Sequence, residues 1–458
     1  MDDKKVIKRR LLYLTIPIFI DSLLAILLGM MDTVMLSKYA DNAVASVGVV
    51  NQVFNMVILV FQVTTLGTSV LCAQYYGAGK KEKLIQIVGV SLFFNLLLGL
   101  LLSFILYFRG EFLLRMMHLA PELMDDGLRY LRVVGGFAFI QSLSLTIAAV
   151  LRSTNKAKYP MFVTLVVNVV NAVGNYALIF GNFGLPEMGA EGAAVATTVS
   201  RAIALIILLV ILVRTILPHF PRHLFFPFPF AELRKMLGIG MPAAGEQISY
   251  SLSQVVVTMF TNLIAIEAVV TRTYAMNIVM FSYLFALSIS FGNSILIGQL
   301  IGEDRKEAAY QICLDSLKRA LMITAVISGL IAASGAIIYG LLTDNQEIIR
   351  VGVIILCIDF VLEFGRTVNM MLVNALRSAG DARFPVMLGL FSMWVFATGL
   401  SWILGISMGY GLIGMWIAFT IDENFRAVIL LKRWKSKKWM ARDLLGEQQE
   451  AMTEATAS

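Results

Sequence analysis

The sequence predicts an all-α membrane protein with about twelve transmembrane helices in two parallel six-helix repeats, or lobes, around a central cavity. Three observations lead to this fold class. Hydrophobic residues make up 58% of the 458 residues and charged residues only 15%, which is typical of multi-span membrane proteins. The apolar runs are long enough to cross a bilayer. The two halves of the chain match each other at positions 225 apart.

Apolar runs between charged or glycine- and proline-rich breaks predict the individual spans. Their predicted limits are residues 11–37, 45–76, 84–107, 126–150, 159–182, 189–215, 237–265, 269–301, 314–341, 349–375, 384–408 and 411–431. The first run is not expected to be a cleaved signal peptide, because it is long, contains two aspartates and lacks a small-residue cleavage pattern.

Lysine and arginine residues are concentrated in alternate loops, which predicts the topology. The loop with Lys80, Lys81 and Lys83 is basic, whereas the stretch between Gly181 and Gly192 contains neither residue type. This pattern predicts a multi-pass protein of the plasma membrane with both termini in the cytoplasm. We expect the protein to be a monomer. The pattern also accounts for the net charge of +7 without a nucleic-acid partner. The exception, residues 109–132, is predicted to be an interfacial amphipathic helix.

A proline-rich stretch near the middle of the chain predicts the domain organisation. It contains Pro218, Pro221, Pro227 and Pro229. We therefore expect an N-lobe over residues 1–216 with helices 1–6, a cytoplasmic linker over 217–234, a C-lobe over 235–434 with helices 7–12, and a cytoplasmic tail over 435–458.

The two halves repeat each other in register. Pro17 corresponds to Pro242, and the segment at 66–83 corresponds to that at 291–308. Because each half has six spans, the copies have the same orientation in the membrane, which makes them parallel repeats. Other matched pairs are Pro160 and Pro385, Arg152 and Arg377, Gly67 and Gly292, Gln74 and Gln299, Gly189 and Gly414, and Arg201 and Arg426.

Three carboxylates in the first helices of the two repeats are the candidate ion-coupling residues. Asp21 and Asp32 lie three turns apart in the first span, and Glu246 follows Pro242 as Asp21 follows Pro17. An ionisable group in a membrane span faces the bundle interior or a water-filled cavity. We therefore predict coupling to H⁺ or Na⁺. If the ion is Na⁺, we expect it to bind at Asp32 or Glu246. The other interpretation is neutral packing residues, or an Asp21 paired with a lysine.

Two polar stripes and two methionines are the candidate substrate-cavity residues. The residues are Asn168, Asn171, Asn175, Gln247, Tyr250, Gln254, Met31 and Met35. Side chains at such helical spacing share one face. They either line the cavity or hold helices together through hydrogen bonds, and the methionines are alternatively apolar filler.

In the tenth span, Asp359, Glu363 and Arg366 also share one face. They form either an internal ion pair, which makes a membrane charge tolerable, or a gating network.

Enzyme motifs are absent from the sequence, so neither catalytic residues nor a cofactor is predicted. The sequence contains no Walker loop, no dinucleotide glycine fingerprint and no Cys/His metal spacing, each of which has a fixed residue pattern. The chain is therefore not expected to be an enzyme.

The first helix resembles that of the multidrug and toxic compound extrusion (MATE) family, with Pro17 followed by Asp32 and Thr33. The LRS motif at 151–153 with Pro160, and its copy at 376–378 with Pro385, are similar to the same family. The likeness covers nearly the whole chain. It implies a secondary active exporter of organic cations or other amphipathic xenobiotics, in exchange for protons or sodium ions, by alternating access of two lobes within the lipid bilayer.

Position by position, only Asp32 matches a coupling acid of the family. Tyr250 stands where the NorM-like branch has its seventh-helix acid, and Arg366 stands where that branch has its tenth-helix acid. Asn175 stands where the DinF-like branch has an aspartate. The alternative function is a flippase for lipid-linked oligosaccharides or other lipids of the same superfamily, for which a cavity cation such as Arg366 is the marker. A receptor or channel would need neither the duplicated carboxylate nor two equal lobes.

Overall fold

The computed structural model describes residues 2–217 and 228–445. The regular secondary structure of these residues is helical, which confirms the predicted all-α fold. The helices are α1 (Asp2–Ser37), α2 (Asp41–Gly77), α3 (Lys81–Met116), α4 (Met124–Gly136), α5 (Ala138–Ser153), α6 (Lys158–Ile179), α7 (Gly189–Thr215), α8 (Phe230–Ile264), α9 (Ile266–Gly302), α10 (Lys306–Ala333), α11 (Gly335–Leu342), α12 (Gln346–Ser378), α13 (Arg383–Ser392) and α14 (Gly411–Lys435).

The helices occur in the order of the twelve predicted spans. Within the described residues, eight helices are long and apolar enough to cross a bilayer, and the bent pair α4 and α5 makes a ninth. The other three long helices are α8, α12 and α14, which contain buried polar or charged residues. One of the eight is α13, which continues as a π-helix over Met393–Ser407.

The helices extend beyond the apolar runs from which the spans were predicted. Helix α1 begins at Asp2 and α3 continues to Met116, because intrahelical hydrogen bonds continue where the side chains become polar. The prediction of one interfacial helix over 109–132 is wrong. Its first part belongs to α3, a short 3₁₀ segment follows over Pro121–Leu123, and α4 then begins at Met124.

The predicted linker over 217–234 lies largely outside the described residues. Of its prolines, only Pro229 is described, and α8 already begins at Phe230. The predicted lobe limits therefore stay a prediction.

The described residues form two compact units. The N-terminal unit contains those between Ile16 and Met241, and the C-terminal unit contains those up to Thr15 together with those from Pro242 onward. Both boundaries lie within helices, next to Pro17 in α1 and at Pro242 in α8. Proline removes one backbone hydrogen bond from a helix, so each helix is weakened where its packing changes from one unit to the other.

A glycine of each repeat lies at an equivalent helix contact inside its own unit. In the N-terminal unit, a methyl group on Gly67 of α2 would overlap the carbonyl oxygen of Met236 in α8. In the C-terminal unit, a methyl group on Gly292 of α9 would overlap Thr15 of α1. Gly67 thus allows α2 to approach α8 closely, and Gly292 allows α9 to approach α1, as small residues do in membrane helix pairs.

This close contact predicts that Gly67→Ala destabilises the protein although alanine is the better helix former. Overlap with a backbone carbonyl requires the helices to separate, at a cost of about 2 kcal/mol. The measurement is the thermal unfolding midpoint of the purified variant in detergent. Gly48→Ala in the same helix is the matched control, since a methyl group there meets no atom within 4 Å. Equal midpoints for the two variants would contradict the contact.

Candidate functional site

Asp32 lies in a hydrogen-bonded chain that joins three helices of the N-terminal unit. The amide nitrogen of Asn175 in α6 donates to Asp32 Oδ1 at 2.6 Å and to Asn171 Oδ1 at 3.0 Å. Asn171 Nδ2 donates to Thr197 Oγ1 of α7 at 3.2 Å. Both asparagines are fully buried, whereas Asp32 is half-buried. Three of the predicted site residues are therefore brought together, and only one carboxylate oxygen of Asp32 has a partner among the described residues.

Arg201 of α7 is a cation that interacts with this hydrogen-bonded chain. It interacts electrostatically with Asp32 and with the buried Tyr130 of α4. Its guanidinium carbon also lies 4.9 Å above the ring centre of Phe54, a cation–π arrangement. The carboxylate of Asp32 thus faces an amide and a guanidinium, both of which are N–H donors.

Asp21 is held by two partners in the same unit. Arg152 Nη1, in the last turn of α5, donates to Asp21 Oδ2 at 3.0 Å. Thr164 Oγ1 of α6 donates to Asp21 Oδ1 at 2.6 Å. The partner is thus an arginine rather than a lysine, and both oxygens of the carboxylate are occupied.

Asn168 belongs to the same helix contact rather than to the Asp32 chain. Its amide nitrogen donates to the carbonyl oxygen of Leu24 at 2.8 Å. The three hydrogen bonds from α6 to α1 have sequence separations of 143, 144 and 143 residues. Because the separation is nearly constant, the two helices run parallel. The hydrogen bonds hold α1 against α6 from Asp21 to Asp32.

Glu246 has the corresponding arrangement in the C-terminal unit. Arg377 Nη2, in the last turn of α12, donates to Glu246 Oε2 at 2.6 Å. Its separation of 131 residues equals that between Asp21 and Arg152. The ion pair is therefore duplicated with the repeat, and each acid binds the arginine of the LRS motif in its own half.

The two pairs differ at one position. Gly389 of α13 corresponds to Thr164, and a methyl group there would lie 3.1 Å from Glu246 Oε1. The glycine therefore leaves room for the glutamate, whose side chain is one carbon longer than that of aspartate, but gives it no hydroxyl donor.

The predicted stripe on α8 is divided. Gln247 and Tyr250 are exposed, whereas Gln254 is half-buried and accepts a hydrogen bond from Arg272 Nη2 of α9 at 2.9 Å. Arg272 Nη1 also donates to Thr258 Oγ1 at 2.8 Å. This arginine therefore binds neutral groups of α8.

The two predicted methionines lie in different surroundings. Met35 packs against the apolar core of the N-terminal unit, and Met31 is half-buried. The first arrangement is that of a packing residue.

Asp359, Glu363 and Arg366 form a buried network with neighbouring helices of the C-terminal unit. Asp359 accepts a hydrogen bond from Trp416 Nε1 at 3.1 Å. Glu363 is paired with Arg366 and accepts from Ser282 Oγ of α9 at 3.3 Å. Both acids are at most 3% exposed. The internal ion pair of the tenth span is therefore present in the structure.

Helix α14 adds further charges to this network. Arg426 binds Asp422 at 2.6 Å and Glu423 at 2.9 Å, and Asn369 of α12 donates to Glu423. Glu423 also interacts electrostatically with Arg366. In this network, the four carboxylates of Asp359, Glu363, Asp422 and Glu423 share the two guanidinium groups of Arg366 and Arg426.

Sequence reasoning missed several of these partners. Arg152 and Arg377 are predicted only as a matched pair of the repeat, and Asp422 and Glu423 are not predicted at all. Arg201 was matched only as a repeat position. The rule that an ionisable residue in a span has a partner would have found the charges of α7 and α14.

Comparison with known proteins agrees with this architecture. The MatE family model matches residues 17–177 and 242–403. The two matched ranges begin 225 residues apart, which is the spacing of the repeat.

Relatives of the chain match over nearly their whole length. An uncharacterized transporter, YisQ of Bacillus subtilis, is 41% identical over 431 residues, covering 94% of this chain and 95% of the relative. A probable multidrug resistance protein, NorM of Thermotoga maritima, is 27% identical over 442 residues, covering 96% and 94%.

The fold is also that of a solved MATE structure in the bent conformation. The TM-score is 0.87 at 23% identity, over 95% of this chain and 97% of that one. The family model, the first of these relatives and this fold agree, and the chain belongs to the MATE family of membrane transporters.

Proposed function

We propose that this protein is a secondary active exporter that moves organic cations or other amphipathic xenobiotics out of the cell in exchange for an ion. The Thermotoga relative, matched over nearly its full length, is named a probable multidrug resistance protein. The charge pattern of the loops supports both termini in the cytoplasm, and the driving force is then the ion gradient across the plasma membrane.

The observation that carries this proposal is the surroundings of Asp32. It is a half-buried carboxylate in a membrane helix, with one oxygen bound by Asn175 and the other without a partner among the described residues. A site of this kind can accept a cation at the free oxygen. Asp21, by contrast, has partners on both oxygens. One oxygen of Glu246 is bound by the positively charged Arg377, which lies next to the other oxygen.

The contacts favour a proton over a sodium ion as the coupling ion. Sodium binds to several oxygen ligands, as hard cations do in general. The groups identified around Asp32 are the amide nitrogen of Asn175 and the guanidinium of Arg201, which supply N–H donors and not the oxygen ligands that a sodium ion needs. A proton needs only the carboxylate itself. At Glu246 the neighbouring Arg377 likewise disfavours a bound metal cation.

Protonation of Asp32 changes how α1 is held. A hydrogen bond from an amide to a carboxylate is charge-assisted and becomes weaker when the acid is neutral. Helix α1 then keeps its attachment to α6 through Asn168 and Thr164, while the contact at Asn175 is weakened. We propose that this weakening links proton binding to the movement of α1, and that a cationic substrate competes for the same charge.

Asp21 and Glu246 take a positioning role in this scheme. Each fixes the segment after the helix proline to its own unit through the arginine of the LRS motif. The sequence-based alternative is that both acids exchange protons directly.

The flippase alternative is less favoured by the contacts. The cation named as its marker was Arg366, and this residue is paired with Glu363.

Asp32→Asn is predicted to abolish transport driven by an ion gradient, because the amide cannot exchange a proton. The purified protein is reconstituted in liposomes, a pH gradient and a sodium gradient are imposed separately, and a panel of fluorescent organic cations is followed. Asp41→Asn, an exposed aspartate at the start of α2, is the control and retains transport. Unchanged pH-driven transport by Asp32→Asn would overturn the assignment, and transport driven only by sodium would overturn the choice of ion.

Arg377→Met is predicted to destabilise the protein by about 3 kcal/mol, since it leaves Glu246 without its partner. The side chains of this pair are only 13% and 15% exposed. Combining it with Glu246→Leu recovers most of the loss. The control is Arg115→Met, which breaks an exposed pair with Glu111 and costs at most about 1 kcal/mol. Thermal unfolding of the three purified variants, compared with the wild type, measures these effects.

The same double variant separates the two roles of Glu246. If the acid only positions α8, the Glu246→Leu, Arg377→Met protein still transports with the ion dependence of the wild type. Loss of that dependence with normal stability would instead assign Glu246 to coupling.

A further inference from the structure

A groove opens on the surface of the C-terminal unit between α10 and α14. Its volume is about 510 Å³, and most of its lining is apolar. The lining residues are Leu314, Leu317, Leu321, Met322 and Ala325 of α10, Phe364 of α12, and Leu431 of α14, together with the two lysines Lys318 and Lys435. The groove therefore combines an apolar surface with two positive charges.

The two lysines are exposed and have no ion-pair partner among the described residues. Other basic residues nearby do have partners. Asp315, one turn before Lys318, binds Lys4 at 3.0 Å. Lys437 binds Glu307 at 2.6 Å. Asp315 and Glu307 are thus already paired. Both lysines line the same groove, and two like charges near each other are unfavourable without an anion.

The fold itself does not require these lysines. The corresponding positions of the first repeat, 225 residues earlier, are Phe93 and Val210. They are 51% and 45% exposed, so the same helix positions carry apolar surface in the N-terminal unit. The charges are a property of the second repeat alone.

We propose that this groove binds an anionic phospholipid of the bilayer, with its phosphate between Lys318 and Lys435 and an acyl chain along the leucines of α10. Lys435 ends α14 and is followed by Lys437 and Lys438, a basic segment that the positive-inside rule assigns to the cytoplasmic side. Basic pockets between helices on that side bind anionic lipid headgroups. The lining supplies both the charge and the apolar surface that such a lipid needs.

A lipid in this position contacts α10 and α14 at once. Its binding therefore stabilises the C-terminal unit by the mass-action effect of any ligand that binds only the folded state. The inference depends on the membrane location of the family but not on the proposed exporter function, because the readout is stability and not transport.

The test compares the thermal unfolding midpoint of the detergent-purified protein with added phosphatidylglycerol or phosphatidylcholine. The wild type is stabilised by phosphatidylglycerol, and the Lys318→Gln, Lys435→Gln variant loses that increment. Each lysine contributes about 1 kcal/mol to attraction of an anionic lipid, or about fivefold in affinity. The Lys318→Arg, Lys435→Arg variant keeps the increment because the charge is retained.

The matched control is Arg319→Gln with Lys432→Gln. It removes the same charge from the same two helices at positions outside the groove lining, and it retains the increment. Equal stabilisation by both lipids, or an equal loss in the control, would overturn the proposal. Stabilisation by soluble glycerol phosphate alone would also overturn it, because the apolar surface would then contribute nothing.

Discussion

A charged side chain within a bilayer is stable only when a neighbouring group compensates its charge or its hydrogen-bonding capacity, and the interior of this protein is arranged by that requirement. The pair of Asp21 and Arg152 and the pair of Glu246 and Arg377 meet it in the same way in both units. Each pair joins the helix that begins a repeat to the end of a later helix. The charges therefore determine which helices of the bundle are neighbours.

The two repeats meet this requirement differently further along their helices. Arg426 binds two acids of its own helix, Asp422 and Glu423. At the corresponding positions of the first repeat, Thr197 and Thr198 stand before Arg201. Arg201 has no acid one turn away and faces Asp32 instead. The N-terminal unit thus holds a carboxylate with a single amide donor hydrogen-bonded to it, whereas the C-terminal unit holds a network in which four carboxylates share two guanidinium groups.

Much of the fold could be predicted from the sequence because the repeat is visible in residues that alter the backbone. Pro17 and Pro242 occupy the same place in each half, and Gly67 and Gly292 lie at equivalent helix contacts. Helix ends were less predictable, since a helix continues after the apolar run that identifies it has ended. The first turns of α1, before Leu11, are an example.

The candidate site was predicted in part, for a similar reason. Asp32, Asn171 and Asn175 stand out as polar residues in apolar helices, and they are joined in the structure. Their partners were not identifiable because hydrogen bonds between helices link residues more than a hundred positions apart. The repeat matches Arg152 to Arg377 in the sequence, and the structure adds that Arg152 binds Asp21.

The boundaries of the compact units have a consequence for biosynthesis. Residues up to Thr15 pack with the C-terminal unit, and Arg10 binds Gln299 across 289 positions of sequence. These residues cannot make their contacts until the segment around Gln299 has been translated, and such long-range contacts slow folding. Likewise, cleavage within residues 218–227 would separate the start of α8 from the unit in which it packs. Neither half-length polypeptide would then contain all the segments of one complete unit.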